Sequence, residues 1–253
     1  MILEGQVAIV TGAGSGIGRG GAEIMAAEGA IVVVTDRSFE RASETASRIK
    51  ENGGTAIARK VDVTVDQDLD EMISSTIAAY GRIDILHNHA GIQIAGNAEQ
   101  VEPDGMDISY QVNTRAHYYA ARRAIPYMKK QGRGVIINTA SNSGVFFDKE
   151  MLAYTTSKAA TIAMTKQMAV DYASFNIRIN ALCPGWVDTE FNEPYIAQMG
   201  GRDAIEKYVA DTIPIGRWAT VEEIAESVLF LASHRSAFMT GHALVVDGGE
   251  CIA

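Results

Sequence analysis

Short apolar runs alternate with longer helical patterns along the whole of this 253-residue chain. Most of the runs are apolar at nearly every position, which is typical of strands in a sheet covered on both faces. The alternation predicts βαβ units, hence a doubly wound parallel sheet with helices on both faces. The predicted strands are 7–10, 31–34, 83–86, 135–137, 177–182 and 243–246, and the predicted helices are 17–28, 40–52, 67–80, 106–130, 152–174 and 221–232.

The composition is typical of a single large globular domain. Apolar residues make up 47% of the chain and charged residues 21%, so we expect one large domain over 1–253. The net charge of −9 argues against a nucleic-acid or anionic-membrane partner. No apolar run approaches the roughly 18 residues of a membrane span. With only two cysteines, of which Cys183 lies in an apolar stretch, we expect a buried reduced thiol and a cytoplasmic protein.

In a parallel sheet of this kind the ligand crevice lies at the carboxyl ends of the strands. Residues 11–18, Thr-Gly-Ala-Gly-Ser-Gly-Ile-Gly, directly follow the first predicted strand and lead into a helix. Glycines permit the sharp turn and the close approach of a pyrophosphate, and the helix amino terminus offers free N–H groups. This order predicts a Rossmann-like dinucleotide site. Asp36, at the end of the second strand, favours the ribose of NAD over NADP, although Arg19 and Arg37 weaken that preference.

Tyr154 and Lys158 are four positions apart in a predicted helix. Four residues rise about 6 Å, so the phenol and the ammonium share one face. A nearby cation stabilises a phenolate, so we expect Lys158 to lower the pKa of Tyr154 toward the range useful for proton exchange. Such a pair alone is usually a surface contact. Together with the glycine loop it predicts acid/base chemistry beside a bound nucleotide.

These residues together resemble the short-chain dehydrogenase/reductase family, and the resemblance covers essentially the whole chain. The matching motifs are the cofactor loop with Gly12, Ser15, Gly16, Ile17 and Gly18; the adenine-contacting pair Asp62 and Val63; Asn88, Ala90 and Gly91 of an NNAG-like motif; the turn Pro184 and Gly185; Val187 and Thr189; and 247–249. The family's catalytic set matches Asn113, Ser141, Tyr154 and Lys158. The resemblance implies a nicotinamide cofactor and a homotetramer assembled through long helices and the carboxy-terminal region.

The resemblance also implies a role for each catalytic residue. Tyr154 exchanges the proton of the substrate oxygen, and Ser141 stabilises the charge that develops on that oxygen. Lys158 stabilises the phenolate and contacts the nicotinamide ribose. Asn113 holds a water that connects Lys158 to solvent.

One position departs from the family pattern, because His89 stands where a second asparagine is usual. His87 and His89 share a face of the strand end and could in principle bind a metal. No acidic or cysteine partner is near them in the sequence, so we predict structural histidines and no metal.

The substrate is less determined. The predicted pocket walls are 92–94, 142–151 and the segment after Trp186, including Phe146, Phe147, Met151, Phe191 and Tyr195, and we expect a mobile lid over 186–215. Asp148, Glu150, Glu190 and Glu193 make these surroundings acidic, whereas Arg122, Arg123, Lys129 and Lys130 could form a basic patch elsewhere. We therefore expect an NAD-dependent oxidoreductase for a neutral secondary alcohol, polyol or cyclic ketone. The alternatives are a 3-oxoacyl thioester reductase, a non-catalytic NAD-sensing regulator and a structural oligomer subunit.

Overall fold

The computed structural model describes residues 1–253 and contains a seven-stranded sheet in the order β3-β2-β1-β4-β5-β6-β7. Its strands are β1 (Val7–Thr11), β2 (Ile31–Asp36), β3 (Thr55–Lys60), β4 (Ile85–Asn88), β5 (Gly134–Thr139), β6 (Ile177–Pro184) and β7 (Ala243–Val246). Every neighbouring pair is parallel. The chain reverses its direction of growth between β1 and β4, and this switch point is where an open α/β sheet forms its ligand crevice.

Helices cover both faces of the sheet, as predicted. They are α1 (Gly16–Ala27), α2 (Phe39–Glu51), α3 (Asp66–Tyr80), α4 (Pro103–Tyr110), α5 (Ala116–Gln131), α6 (Leu152–Tyr172), α7 (Glu193–Gln198), α8 (Arg202–Thr212) and α9 (Val221–Ala232). Side chains of α1, α2 and α9 form one core, and those of α3, α5 and α6 form the other. Val10 points into the first core and its neighbour Ile9 into the second. Both sides of each central strand are therefore apolar.

Two elements differ from the sequence prediction. β3 is absent from the six apolar runs because it is the edge strand and only Ala56 is fully buried in it. The helix predicted over 106–130 begins earlier, at Pro103, whose fixed φ suits the first turn of a helix. It is also divided by a π-helical turn, Gln111–Arg115, which places Asn113 in a widened part of the backbone.

Glycines end two of the helices, as their positions predict. Gly81 follows α3 and Gly132 follows α5, both in the left-handed conformation with φ of 72° and 71°. Cys183 is a buried free thiol in β6, also as expected. None of the helices combines the length and the apolar character that a bilayer crossing requires.

Candidate active site

A cavity of about 600 Å³ opens at the carboxyl ends of the central strands. Most of the residues predicted for cofactor binding or catalysis line it: Gly12, Ser15, Gly16, Ile17, Asp36, Asp62, Val63, Ala90, Gly91, Ser141, Tyr154, Lys158, Pro184, Gly185, Val187 and Thr189. Residues more than 170 positions apart in the chain therefore meet in one depression.

The glycine loop forms a cradle at one end of this cavity. Gly12 has a φ of +65°, and a Cβ atom there would lie 2.9 Å from Cα of Ala90, so only glycine fits. Ser15 is the N-cap of α1 but makes no capping hydrogen bond with its side chain. The first N–H groups of α1 therefore lack a side-chain acceptor and face the cavity end. This arrangement suits a diphosphate.

Asp36 lies at the rim beside this cradle. Its carboxylate accepts hydrogen bonds from the backbone N–H groups of Gly14 at 3.1 Å and Ser38 at 2.9 Å, which hold it in place. Arg37 and Arg41 line the same end of the cavity, and Arg41 forms an ion pair with Glu190 at 3.1 Å. The nucleotide end thus contains both an acceptor for ribose hydroxyls and cationic groups.

Asp62 and Val63 follow β3 and reach the cavity from the outer strands. Thr64 donates to Asp62 Oδ1 from its hydroxyl at 2.7 Å and from its backbone N–H at 2.9 Å. These hydrogen bonds lower the pKa of Asp62. Asp62 is therefore a charged acceptor at this wall.

Tyr154 and Lys158 lie one turn apart in α6, and Ser141 follows β5 across the cavity. Lys158 Nζ donates a 2.8 Å hydrogen bond to the carbonyl oxygen of Thr139 and lies 5.7 Å from the centroid of the Tyr154 ring. The Ser141 hydroxyl donates to Asn142 Oδ1 at 3.3 Å. Side chains predicted from separate motifs are therefore held at one reacting centre.

The structure raises the pKa of Tyr154, contrary to the net lowering expected from the sequence. Burial raises the pKa of Tyr154 to about 12, and the nearby Ser141 hydroxyl opposes that rise only in part. Burial also lowers the pKa of Lys158 to about 8. The ammonium is hydrogen-bonded to Thr139 rather than to the phenol, so desolvation dominates. The phenol is protonated at neutral pH.

Asn113 lies behind the cavity wall rather than in it. Its side chain accepts from the N–H of Ile92 at 2.8 Å and donates to the carbonyl oxygen of Ile92 at 2.9 Å. A Cβ atom on Gly91 would lie 3.2 Å from both Asn113 Oδ1 and Lys158 Nζ. Asn113 thus fixes the loop after β4 at the point where it passes Lys158.

Two predicted cofactor contacts do not line the cavity. Asn88 is buried in β4, where its amide donates to Asn138 Oδ1 at 2.9 Å and to the carbonyl oxygen of His117 at 3.2 Å, so it joins neighbouring elements. Gly18 faces the end of β4, where a Cβ atom would lie 2.6 Å from His89 Cδ2. Asn88 therefore holds β4 to its neighbours and Gly18 packs the cofactor loop against the end of β4, while contact of either with the cofactor stays a prediction.

The two histidines also have structural partners. His87 Nε2 and His89 Nδ1 lie 2.9 and 3.2 Å from the Thr139 hydroxyl. Burial lowers the pKa of His87 to about 3, and it lowers the pKa of His89 as well. Both rings are therefore neutral near neutral pH. No group of three or more histidine, cysteine, aspartate or glutamate side chains has the arrangement of a metal site.

The substrate walls agree with the prediction only in part. Met151, Trp186, Phe191 and Tyr195 line the cavity, but the side chain of Phe147 is 77% exposed and faces solvent. Phe146 also lies outside the lining. Neither of these two rings therefore forms part of the cavity wall.

A sequence model described as enoyl-(acyl carrier protein) reductase matches residues 12–250, from the glycine loop to the segment after β7. An uncharacterized oxidoreductase of Thermotoga maritima is 37% identical over 99% of each chain. The chain belongs to the short-chain dehydrogenase/reductase (SDR) family. It is a dehydrogenase/reductase.

Other SDR proteins similar to this chain act on different substrates. A 3-oxoacyl-[acyl-carrier-protein] reductase of Thermotoga maritima is 34% identical over the whole of both chains. An NAD-dependent glycerol dehydrogenase of Listeria innocua is 34% identical over 99% of this chain and 95% of its own.

Solved SDR structures share the entire fold. Levodione reductase superposes with a TM-score of 0.96 at 29% identity over 99% of each chain. A gluconate 5-dehydrogenase of Burkholderia cenocepacia, solved with NADP and tartrate, has a TM-score of 0.93 at 34% identity over 99% of this chain and 97% of its own. The substrates of these relatives, and the dinucleotides named with them, differ from one protein to the next.

Three residues in or behind the cavity wall of this SDR enzyme were not predicted from the sequence. Arg41 lines the nucleotide end, and Asn192 lines the substrate end. Glu250 holds Asn142 and Trp186 through its carboxylate. The glycine turn 247–249 just before Glu250 is the nearest motif, but it says nothing about partners so distant in the chain.

Proposed function

We propose that this SDR enzyme interconverts a neutral secondary alcohol, polyol or cyclic alcohol and its ketone, with NAD as the hydride carrier. The observation that carries the proposal is the meeting of Tyr154, Ser141 and Lys158 with the glycine cradle in one cavity. A proton-exchanging group beside a dinucleotide site is what alcohol oxidation and ketone reduction require.

Each catalytic residue has a separate role in the proposed reaction. The nicotinamide, when bound, supplies the carbon that accepts or donates hydride. Tyr154 takes the proton of the substrate hydroxyl during oxidation and returns it to the carbonyl oxygen during reduction. Ser141 donates a hydrogen bond to the same oxygen as negative charge develops there. While it is protonated, Lys158 adds a positive charge near the phenol, which opposes the effect of burial on that group.

The preference for NAD is supported by the placement of Asp36. Its carboxylate is held at the cavity rim by two backbone N–H groups, where it would accept ribose hydroxyls and repel a 2′-phosphate. Arg37 and Arg41 at the same end would favour the phosphate instead. We therefore propose NAD as the preferred cofactor and NADP as the alternative, and the activity with each is to be compared directly.

A 3-oxoacyl thioester reductase is the second candidate, and the Thermotoga relative that carries this name favours it. The substrate end, with the Asp148 carboxylate in its lining and Glu250 behind that lining, is less suited to an acidic carrier protein. The intact catalytic set argues against a regulator that only binds NAD. Binding without turnover across a broad panel of alcohols and ketones would favour that regulator.

The segment 186–215 is proposed as the substrate lid within a single domain. It contains α7 and α8, and Trp186 packs against Tyr195, Tyr208 and Trp218 with ring centroids 5.7, 6.0 and 5.3 Å away. The Arg202 guanidinium donates to both carboxylate oxygens of Asp188 at 2.9 and 2.8 Å. Except for the contact with Trp218, these contacts lie within the segment, so they would make it move as one unit.

We propose a cytoplasmic homotetramer. Tyr118, Tyr127 and Val170 are exposed apolar side chains on the long helices α5 and α6, which supports association through these helices. Light scattering coupled to size-exclusion chromatography would measure the mass, and a monomer would contradict the tetramer.

A substrate screen tests the proposed reaction. Purified enzyme is incubated with NAD or NADP and secondary alcohols, and with the reduced cofactors and ketones or acetoacetyl thioesters, while nicotinamide absorbance is recorded. Higher kcat/KM with NAD and neutral alcohols supports the proposal. A clear preference for NADP with the thioester would overturn it in favour of the reductase.

A further inference from the structure

Positive and negative side chains are unequally distributed between the two ends of the cavity. Of its lining residues only Arg37, Arg41 and Lys158 carry positive charge. The two arginines lie at the nucleotide end beside Asp36, and Lys158 lies at the reacting centre. The substrate end contains a carboxylate, Asp148, and no lysine or arginine.

Asp148 has an incomplete set of partners. The Ser143 hydroxyl donates to its Oδ2 at 3.0 Å, but Oδ1 has no protein donor and neither oxygen is in an ion pair. The side chain is half-buried, and this burial raises the pKa of Asp148. A carboxylate partly removed from water gains most from a hydrogen-bond donor or a cation.

Asp148 also lies in the cavity that contains the catalytic Tyr154. Tyr195 lines the same cavity, and Glu250 lies behind its lining. Burial is the main cause that raises the pKa of Tyr154, Tyr195 and Glu250, and the negative charge of Asp148 raises each of them further. A donor that neutralises Asp148 would therefore also ease ionisation of the catalytic phenol. A substrate carboxylate placed here would do the opposite.

We infer that Asp148 is a specificity-determining residue that selects substrates bearing a hydrogen-bond donor, a second hydroxyl or an ammonium group, besides the reacting hydroxyl. This inference rests on the proposed function, since it names the substrate class of the same site. Polyols and amino alcohols are preferred over unsubstituted alcohols, and hydroxy acids are disfavoured.

Four substrates on one ring test the inference: cyclohexanol, cyclohexane-1,2-diol, 2-aminocyclohexanol and 2-hydroxycyclohexanecarboxylate. The kcat/KM of each is divided by that of cyclohexanol, which removes effects common to all four. Asp148→Asn keeps the shape and removes the charge. Glu222→Gln, an exposed position on α9 outside the cavity lining, is the control for loss of one negative charge.

In the unaltered enzyme we expect the diol or the amino alcohol to exceed cyclohexanol by about tenfold, since a hydrogen bond to a charged group is worth that much. Asp148→Asn should reduce the amino alcohol ratio by about tenfold and the diol ratio by less, because an amide oxygen still accepts. The hydroxy acid ratio should rise. Glu222→Gln should leave all three ratios unchanged.

The outcomes separate the inference from the proposed function. Selective loss of the amino alcohol ratio identifies an ammonium as the group bound, and loss of the diol ratio identifies a hydroxyl. Turnover of cyclohexanol with ratios near one, or ratios unaltered by Asp148→Asn, overturns the inference while the proposed function stands. Turnover of none of the four, in folded enzyme that binds NAD, contradicts the proposed function and the inference together.

Discussion

The side-chain amide of Asn142 donates a 2.7 Å hydrogen bond to Glu250, 108 positions further along the chain. The other carboxylate oxygen of Glu250 accepts the indole N–H of Trp186 at 3.0 Å. Asn142 in turn accepts the Ser141 hydroxyl. Glu250 thus connects the loop that carries Ser141 to the aromatic wall of the substrate pocket.

Replacing Glu250 by alanine should lower kcat by about tenfold, because small displacements of a catalytic hydroxyl are costly. The dissociation constant for NAD should change little, since Glu250 lies at the substrate end. Steady-state kinetics and a cofactor-binding titration measure the two effects. Glu222→Ala, an exposed change on α9, is the control. An equal loss of cofactor affinity would contradict a role through Ser141.

Replacing Tyr154 by phenylalanine should reduce turnover by about 10²- to 10⁴-fold, the usual contribution of a positioned acid or base. The ring keeps its shape and loses only its exchangeable proton, so NAD should bind nearly as before. Turnover is followed by nicotinamide absorbance and binding by fluorescence. Near-normal turnover would reject Tyr154 as the acid/base group.

The two directions of the reaction should differ in their pH dependence. Because burial raises the pKa of Tyr154 to about 12, the phenol is protonated at neutral pH, and alcohol oxidation should accelerate as the pH rises. The pKa of Lys158 is lowered to about 8, so its charge is present below that pH and lost above it. Loss of this charge makes the phenol a weaker acid, so ketone reduction should decline above about pH 8. Profiles of kcat/KM with the same pH dependence in both directions would contradict this assignment.

Replacing Asp36 by alanine should weaken NAD more than NADP and shift their affinity ratio by about tenfold, the worth of a charged hydrogen bond. Titration of both dinucleotides gives the ratio. Asp66→Asn, which removes one exposed carboxylate at the start of α3, is the control. An unchanged ratio in the Asp36 variant, with the fold intact by circular dichroism, would count against contact with the ribose.

The sequence alone determined the order of the elements and the location of the chemistry. Apolar runs indicate strands buried on both faces, and glycines after the helical patterns indicate where helices end. Together they predicted the parallel sheet and the loops that follow its strands. The spacing of Tyr154 and Lys158 placed both on one face of α6 because helix geometry is local. β3 was missed because an edge strand is only partly buried.

The tertiary structure decided what depends on contacts between distant segments. Burial of the phenol reversed the expected direction of the Tyr154 pKa shift, because desolvation is set by everything packed around the ring. Asn88 turned inward to Asn138, and Phe147 turned out to solvent. Glu250 met Asn142 only because the segment after β7 folds back beside the loop after β5. The spacing of residues along the sequence does not predict such long-range contacts, since they depend on how the whole chain packs.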